Sequence, residues 1–159
     1  MTQPLVIYRS PVLPEWIDYN GHLRDAYYIV VASQAVDALM DHLGIDAPYR
    51  KRTHCTLYTL EMHVHYFREV KDSDLLEVTV RIIATDDKRI HAALELNCAR
   101  LADPAASIEF MLLHVEQGEN VKSLPFPEDI ARAVQTLKAA TADAAPAKRG
   151  SRKMELRGR

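Results

Sequence analysis

The sequence predicts an α+β domain in which one antiparallel sheet wraps a single long helix. Three observations predict it. Residues 25–43 read as one helix almost without polar interruption. Four later segments alternate apolar and polar residues and are joined by short polar turns. The chain has 159 residues, 48% hydrophobic and 26% charged, which is the balance of one globular domain. So apolar a helix needs wrapping on most sides, and a sheet with one apolar face supplies the wrap.

The chain opens on a short alternating stretch, Leu5-Val6-Ile7-Tyr8. Pro11 and Pro14 then push their predecessors toward extended backbone, so no helix is expected there. Asp18-Tyr19-Asn20-Gly21 is turn chemistry. In the helix at 25–43, Ser33, Gln34, Asp37 and Asp41 recur at helical spacing as one narrow polar stripe, and Gly44 is a fitting stop. Residues 57–68 form the first long strand. Tyr58, Leu60, Met62, Val64 and Tyr66 lie on one face of it; Thr59, Glu61, His63 and His65 lie on the other. Residues 75–85 place Leu76, Val78, Val80, Ile82 and Ala84 together, and residues 90–100 place Ile90, Ala92, Leu94, Leu96 and Cys98 together. A last strand at 107–116 completes an antiparallel meander with one face buried. Glu128–Ala140 reads as an amphipathic helix with Pro127 at its start. A single domain is therefore expected over 1–140. Residues 141–159 are expected to form a basic, mobile tail, with six basic groups and one acid over 148–159.

The net charge of −2 calls for neither nucleic acid nor an anionic membrane. No apolar run approaches the roughly 20 residues of a membrane helix, and the first residues lack a signal peptide's basic and apolar regions. Cys55 and Cys98 make no disulfide framework and fit no zinc spacing. A reducing cytoplasm is expected.

Asp18 is the leading chemical candidate. It precedes a helix start, whose N–H groups are free donors able to polarise a carbonyl or hold an oxyanion. Asn20 and Gly21 permit a tight, close-approach backbone, and His22 adds a titratable partner that could orient water or Asp18. A turn or capping aspartate is the plainer alternative. Glu61 and His63 share a strand face with His65. Neighbours on that face stand about 6.6 Å apart, too far to converge on one ion, so no metal site is expected.

The run Trp16-Ile17-Asp18-Tyr19-Asn20-Gly21-His22-Leu23-Arg24-Asp25-Ala26-Tyr27-Tyr28 resembles the N-terminal signature of hotdog-fold acyl-CoA thioesterases of the 4-hydroxybenzoyl-CoA thioesterase type. Glu61 to Asp74 looks like that family's strand running into a Gly-Asp turn, with Ser73 where glycine is usual. The likeness covers about residues 5–118. A narrower likeness, through Asp18–Asp25 and Tyr58-Thr59-Leu60-Glu61, is to the betainyl-CoA thioesterases of bacterial carnitine breakdown.

The resemblance implies a homodimer or homotetramer built by edge-to-edge sheet pairing, with active sites at the dimer interface and no cofactor. It implies Asp18 as nucleophile or general base, and the Asp25 backbone N–H as donor to the thioester carbonyl. Some relatives use a glutamate on the central helix, and this helix has none. Glu61 is the expected second carboxylate, with His63 beside it. Trp16 and Tyr28 are the expected walls of an acyl pocket, since aromatic faces with a carboxylate suit a quaternary ammonium. Arg68, Lys88, Arg89 and the basic tail are candidates for the CoA phosphates. Two alternatives remain at this stage. A hydratase or dehydratase of this fold would carry Asp-x-Asn-Pro-x-His, whereas this chain has neither that proline nor that histidine spacing. The other is a non-catalytic acyl-CoA-binding protein.

Overall fold

The computed structural model describes residues 5–143. Strand β1 (Leu5–Pro11) leads through a single 3-10 turn (Pro14–Trp16) to helix α1 (Asp25–His42) and a short α2 (Ala47–Thr53). Strands β2 (Cys55–Tyr66), β3 (Leu75–Thr85), β4 (Arg89–Cys98) and β5 (Ala106–Glu116) follow, then β6 (Lys122–Ser123) and α3 (Glu128–Ala140). The spatial order is β1-β3-β4-β5-β2, with β6 added to β5. All pairings are antiparallel.

The sheet holds α1 against its apolar face, but on one side only. Tyr28, Val31, Ala32, Ala35, Val36, Leu39 and Met40 are buried. Ala26 and Val30 join Ser33, Gln34, Asp37 and Asp41 on the exposed side, so the expectation of a helix covered on most sides is corrected. Here the apolar composition overstates burial, because alanine and valine need no enclosure to remain helical. At the helix end Gly44 adopts φ +86°, and a Cβ there would lie 3.3 Å from Ile130 Cδ1 of α3.

Two bulges change the strand faces read from alternation. The β2–β5 register shifts between Thr59 and Glu61. Tyr58 consequently pairs with Leu113, while Met62 and Val64 pair with the buried Phe110 and Ile108. Tyr58 thus shares the outer face with Glu61 and His63, not the inner face with Met62. A second shift between Ile82 and Ala84 brings Ala84 out of the core row, where it pairs with His91. One extra residue reverses every following side chain.

Three further corrections are local. One turn of 3-10 helix begins at Pro14 and runs to Trp16, since proline is tolerated at the first position. Helix α2 was not legible from periodicity, yet its start is conventional: Asp46 accepts the Tyr49 N–H at 2.9 Å. Tyr49 then donates its hydroxyl to His114 Nε2 at 2.9 Å, because His114 Nδ1–H is donating to the Leu124 carbonyl. Thr141, assigned to the tail by sequence, is buried, and its Oγ1 accepts the Ile82 N–H at 3.3 Å. The rest of the expected tail, 144–159, lies outside the described residues.

Ser73, where glycine was anticipated, has φ +65°. A non-glycine residue in that region costs about 1–2 kcal/mol, part of which glycine returns as unfolded-state entropy. Ser73→Gly should therefore raise stability by about 0.5–1 kcal/mol, read as a higher urea midpoint at constant slope.

Candidate active site

Residues 17–24 form a miniature hairpin sewn to the rest of the fold. Ile17 bridges Leu23 and His22 bridges Lys71. The Asp18 carbonyl accepts the Gly21 N–H at 3.0 Å, closing the turn, and Leu23 N–H donates to the Val70 carbonyl at 2.8 Å. Gly21 sits at φ +80°, and a Cβ there would meet nothing within 4 Å. Within the chain, then, glycine is required here by its backbone conformation.

The same turn holds Asp18. Its Oδ1 accepts the backbone N–H of Asn20 at 2.8 Å and of His22 at 3.3 Å. Partial desolvation pushes the Asp18 carboxyl upward. The two amide hydrogen bonds and the nearby His22 and Arg24 outweigh it, so the net shift is below the usual value. Asp18 is therefore ionised at neutral pH, with Oδ2 left outside the amide grip.

Helix α1 begins seven residues later without a side-chain cap from Arg24. Asp25 Oδ1 accepts the Ala26 N–H at 2.9 Å, and Tyr27 N–H donates to the Arg24 carbonyl at 2.9 Å. Among the described residues the Asp25 N–H has no acceptor, leaving one donor at the positive end of the helix.

Asp18, His22 and Asp25 line one side of a cavity of about 410 Å³. Tyr28 and Tyr66 form its wall, and Phe67, Arg68 and Glu69 come from the β2–β3 connection. The two tyrosine rings meet edge to face, centroids 5.2 Å apart at 88°. Tyr28 Oη accepts the Val70 N–H and donates to the Arg68 carbonyl, each at 3.2 Å. Burial raises the Tyr28 phenol above its ordinary pKa. Tyr66 donates its hydroxyl to the Asp25 carbonyl at 3.2 Å.

Of the residues singled out by sequence, the structure brings Asp18, His22, Asp25 and Tyr28 to this cavity, with Asn20 and Gly21 in the supporting turn. The His22 imidazole gives its hydrogen bond to Glu69 and not to Asp18: Nε2 donates to Glu69 Oε2 at 3.0 Å. Trp16 stacks on Tyr27, centroids 5.2 Å apart, and does not line the cavity. Glu61 is paired with His63 at 2.6 Å on the outer sheet face. Of the basic candidates, Arg68 lines the cavity, whereas Arg89 is held 2.6 Å from Asp86 in the β3–β4 turn. Arg89 lowers the Asp86 carboxyl to about 2. Phe67 and Glu69 were missed as site residues. Both lie in the strand-to-turn stretch of the family resemblance, but nothing in their spacing marks them.

An antiparallel sheet curled on one long helix is the hotdog architecture. Residues 12–134 match the Thioesterase-like superfamily, and the chain belongs to it. It is a thioester hydrolase. It is 42% identical over 137 residues to the betainyl-CoA thioesterase of Pseudomonas aeruginosa, covering 86% of each chain. It is 37% identical to an L-carnitine dehydrogenase/betainyl-CoA thioesterase of Agrobacterium fabrum, of which it spans 28%. Among solved structures it resembles a Pseudomonas putida KT2440 protein provisionally described as a thioesterase (36% identity, TM-score 0.87, covering 98% of this chain and 99% of that one). It also resembles a Staphylococcus aureus protein solved in complex with CoA (26% identity, TM-score 0.88, 97% of each chain).

Proposed function

We propose that the protein hydrolyses betainyl-CoA to glycine betaine and CoA, with Asp18 as the reacting carboxylate. The observation that carries the chemistry is an ionised Asp18 and an unoccupied Asp25 N–H beside one cavity. The thioester carbonyl accepts from the Asp25 N–H, which stabilises the oxyanion of the tetrahedral intermediate. Asp18 Oδ2 either takes a proton from the attacking water or attacks the carbonyl carbon itself, in which case water hydrolyses the aspartyl anhydride left after C–S cleavage and frees Asp18. The C–S bond breaks, and the CoA thiolate leaves and is protonated. Asn20, Gly21 and His22 act as positioning residues through the turn that grips Oδ1. Arg68, the one guanidinium among the lining residues, is the candidate cation for a CoA phosphate. The acyl group is taken from the betainyl-CoA thioesterases that the chain resembles. A thiol-release assay over a panel of acyl-CoAs should show betainyl-CoA cleaved fastest. No thiol release from any member would overturn the reading, and faster cleavage of long neutral acyl chains would overturn its substrate.

The second element is a homodimer paired through β2. That strand is the sheet edge, twelve residues long, and Leu60 (55%), Tyr66 (49%) and Tyr58 (38%) are exposed along it. An uncovered edge of that length and apolarity invites another strand. Tyr66, its last residue, lines the cavity, so a second copy would border the site. Sedimentation at micromolar concentration should give a dimer that Leu60→Lys weakens at least tenfold; a wild-type monomer would refute the pairing. Catalysis is placed in the cytoplasm, where CoA thioesters are made; the buried, unpaired Cys55 and Cys98 suit a reducing compartment.

A further inference from the structure

The cavity is acidic, which is unusual for the mouth of a site that must admit a polyanionic thioester. Asp18, Asp25 and Glu69 contribute three carboxylates to its lining, against one guanidinium, Arg68. Arg68 is turned outward: Nη2 donates to Asp103 at 3.1 Å and Nη1 to the Phe67 carbonyl at 2.9 Å. Two of the carboxylates have work in the fold, Asp18 in its turn and Asp25 on the Ala26 amide.

Glu69 is different. Its backbone carbonyl accepts from Arg100 Nη2 at 3.1 Å, and its Oε2 accepts from His22 Nε2 at 3.0 Å. Arg100 is itself clamped on Asp74 by two hydrogen bonds of 3.1 and 2.7 Å. These contacts aim the Glu69 carboxylate at the cavity and leave Oε1 uncommitted. Opposite stands a corner made by two rings at 88°, each tied through its hydroxyl to a backbone carbonyl. A rigid aromatic corner facing an aimed carboxylate has the recognition chemistry of a trimethylammonium. Such a group donates no hydrogen bond and is held by π faces and a counter-charge.

We propose that Glu69, with the Tyr28–Tyr66 corner, is the specificity-determining subsite for a quaternary-ammonium acyl group. This rests on the betainyl-CoA reading and names the residues that enforce it. A neutral acyl group gains nothing from Glu69 and leaves that carboxylate partly desolvated beside it, so the site discriminates by charge as well as by size.

The test compares kcat/KM for betainyl-CoA with that for 3,3-dimethylbutyryl-CoA, which has nearly the same shape without the charge. The wild type should prefer the cation by about thirtyfold. Glu69→Gln should cut that preference to about threefold, mainly through KM, and Glu69→Lys should reverse it. Glu119→Gln removes the same charge from the exposed β5–β6 connection, outside the cavity lining, and should keep the preference. No preference in the wild type would refute the betainyl-CoA reading itself. A preference that survives in both Glu69 variants would overturn the subsite alone. So would equal losses in Glu69→Gln and Glu119→Gln, which would make the effect one of overall charge. Glu69 is well exposed, so thermal melts of the variants should match wild type.

Discussion

Asp18→Asn should lower kcat by about 10²-fold or more and leave KM within a few-fold, a loss of about 2.7 kcal/mol of transition-state stabilisation. The amide oxygen of asparagine can still accept the Asn20 and His22 N–H groups, so the turn survives while the reacting oxygen is lost. The pH profile supplies an independent check. The amide hydrogen bonds hold the Asp18 carboxyl below its ordinary value. The charged form is thus favoured in the folded protein and is lost only as pH falls through that lowered value. The acid limb of kcat/KM due to Asp18 should therefore lie below about pH 4, and titration of Asp18 should not reduce the rate between pH 5 and 7. Near-normal turnover in the variant would remove Asp18 from the chemistry and leave Glu69 and Asp25 as the carboxylates at the cavity.

Tyr28→Phe should destabilise the protein by about 2 kcal/mol, lowering Tm by about 4–8 °C. Its hydroxyl joins α1 to the β2–β3 connection by accepting from Val70 and donating to Arg68. Phenylalanine leaves the fully buried Val70 with an unpaired N–H. The connection so released carries Phe67, Arg68 and Glu69, so KM should rise together with the loss of stability. Tyr66→Phe removes a single, more exposed hydrogen bond and should cost less than about 1 kcal/mol. Equal melts for Tyr28→Phe and wild type would show that the hydroxyl bridge carries no weight.

Much of this molecule was legible in advance because its signals are local. The 3.6-residue period and Gly44 locate α1, and period-2 alternation locates β2 to β5. Pro127 marks the start of α3. The Asp18–Gly21 turn is likewise a short-range pattern, and the geometry now around Asp18 follows from it. Helix α2 escaped because seven residues are too few to establish a period, although Asp46 and Pro48 are an ordinary start signal.

The sequence by itself determined the α+β class, the order of the long elements, and the placing of a carboxylate turn at the start of the central helix. Each of these depends on residues within a few positions of one another. Only the tertiary structure decided which faces those elements present. The bulges near Leu60 and Ile83 arise from register against β5 and β4, and they move Tyr58 and Ala84 to the outer face. The cavity is likewise a long-range product. His22 and Glu69 meet because the miniature hairpin pairs with residues 70–71, and Tyr28 meets Tyr66 because β2 ends beside the first turn of α1. Alternation and helical period report which side of an element is apolar. Contacts between distant segments depend on strand register and crossover, which a single sequence does not encode in any local pattern.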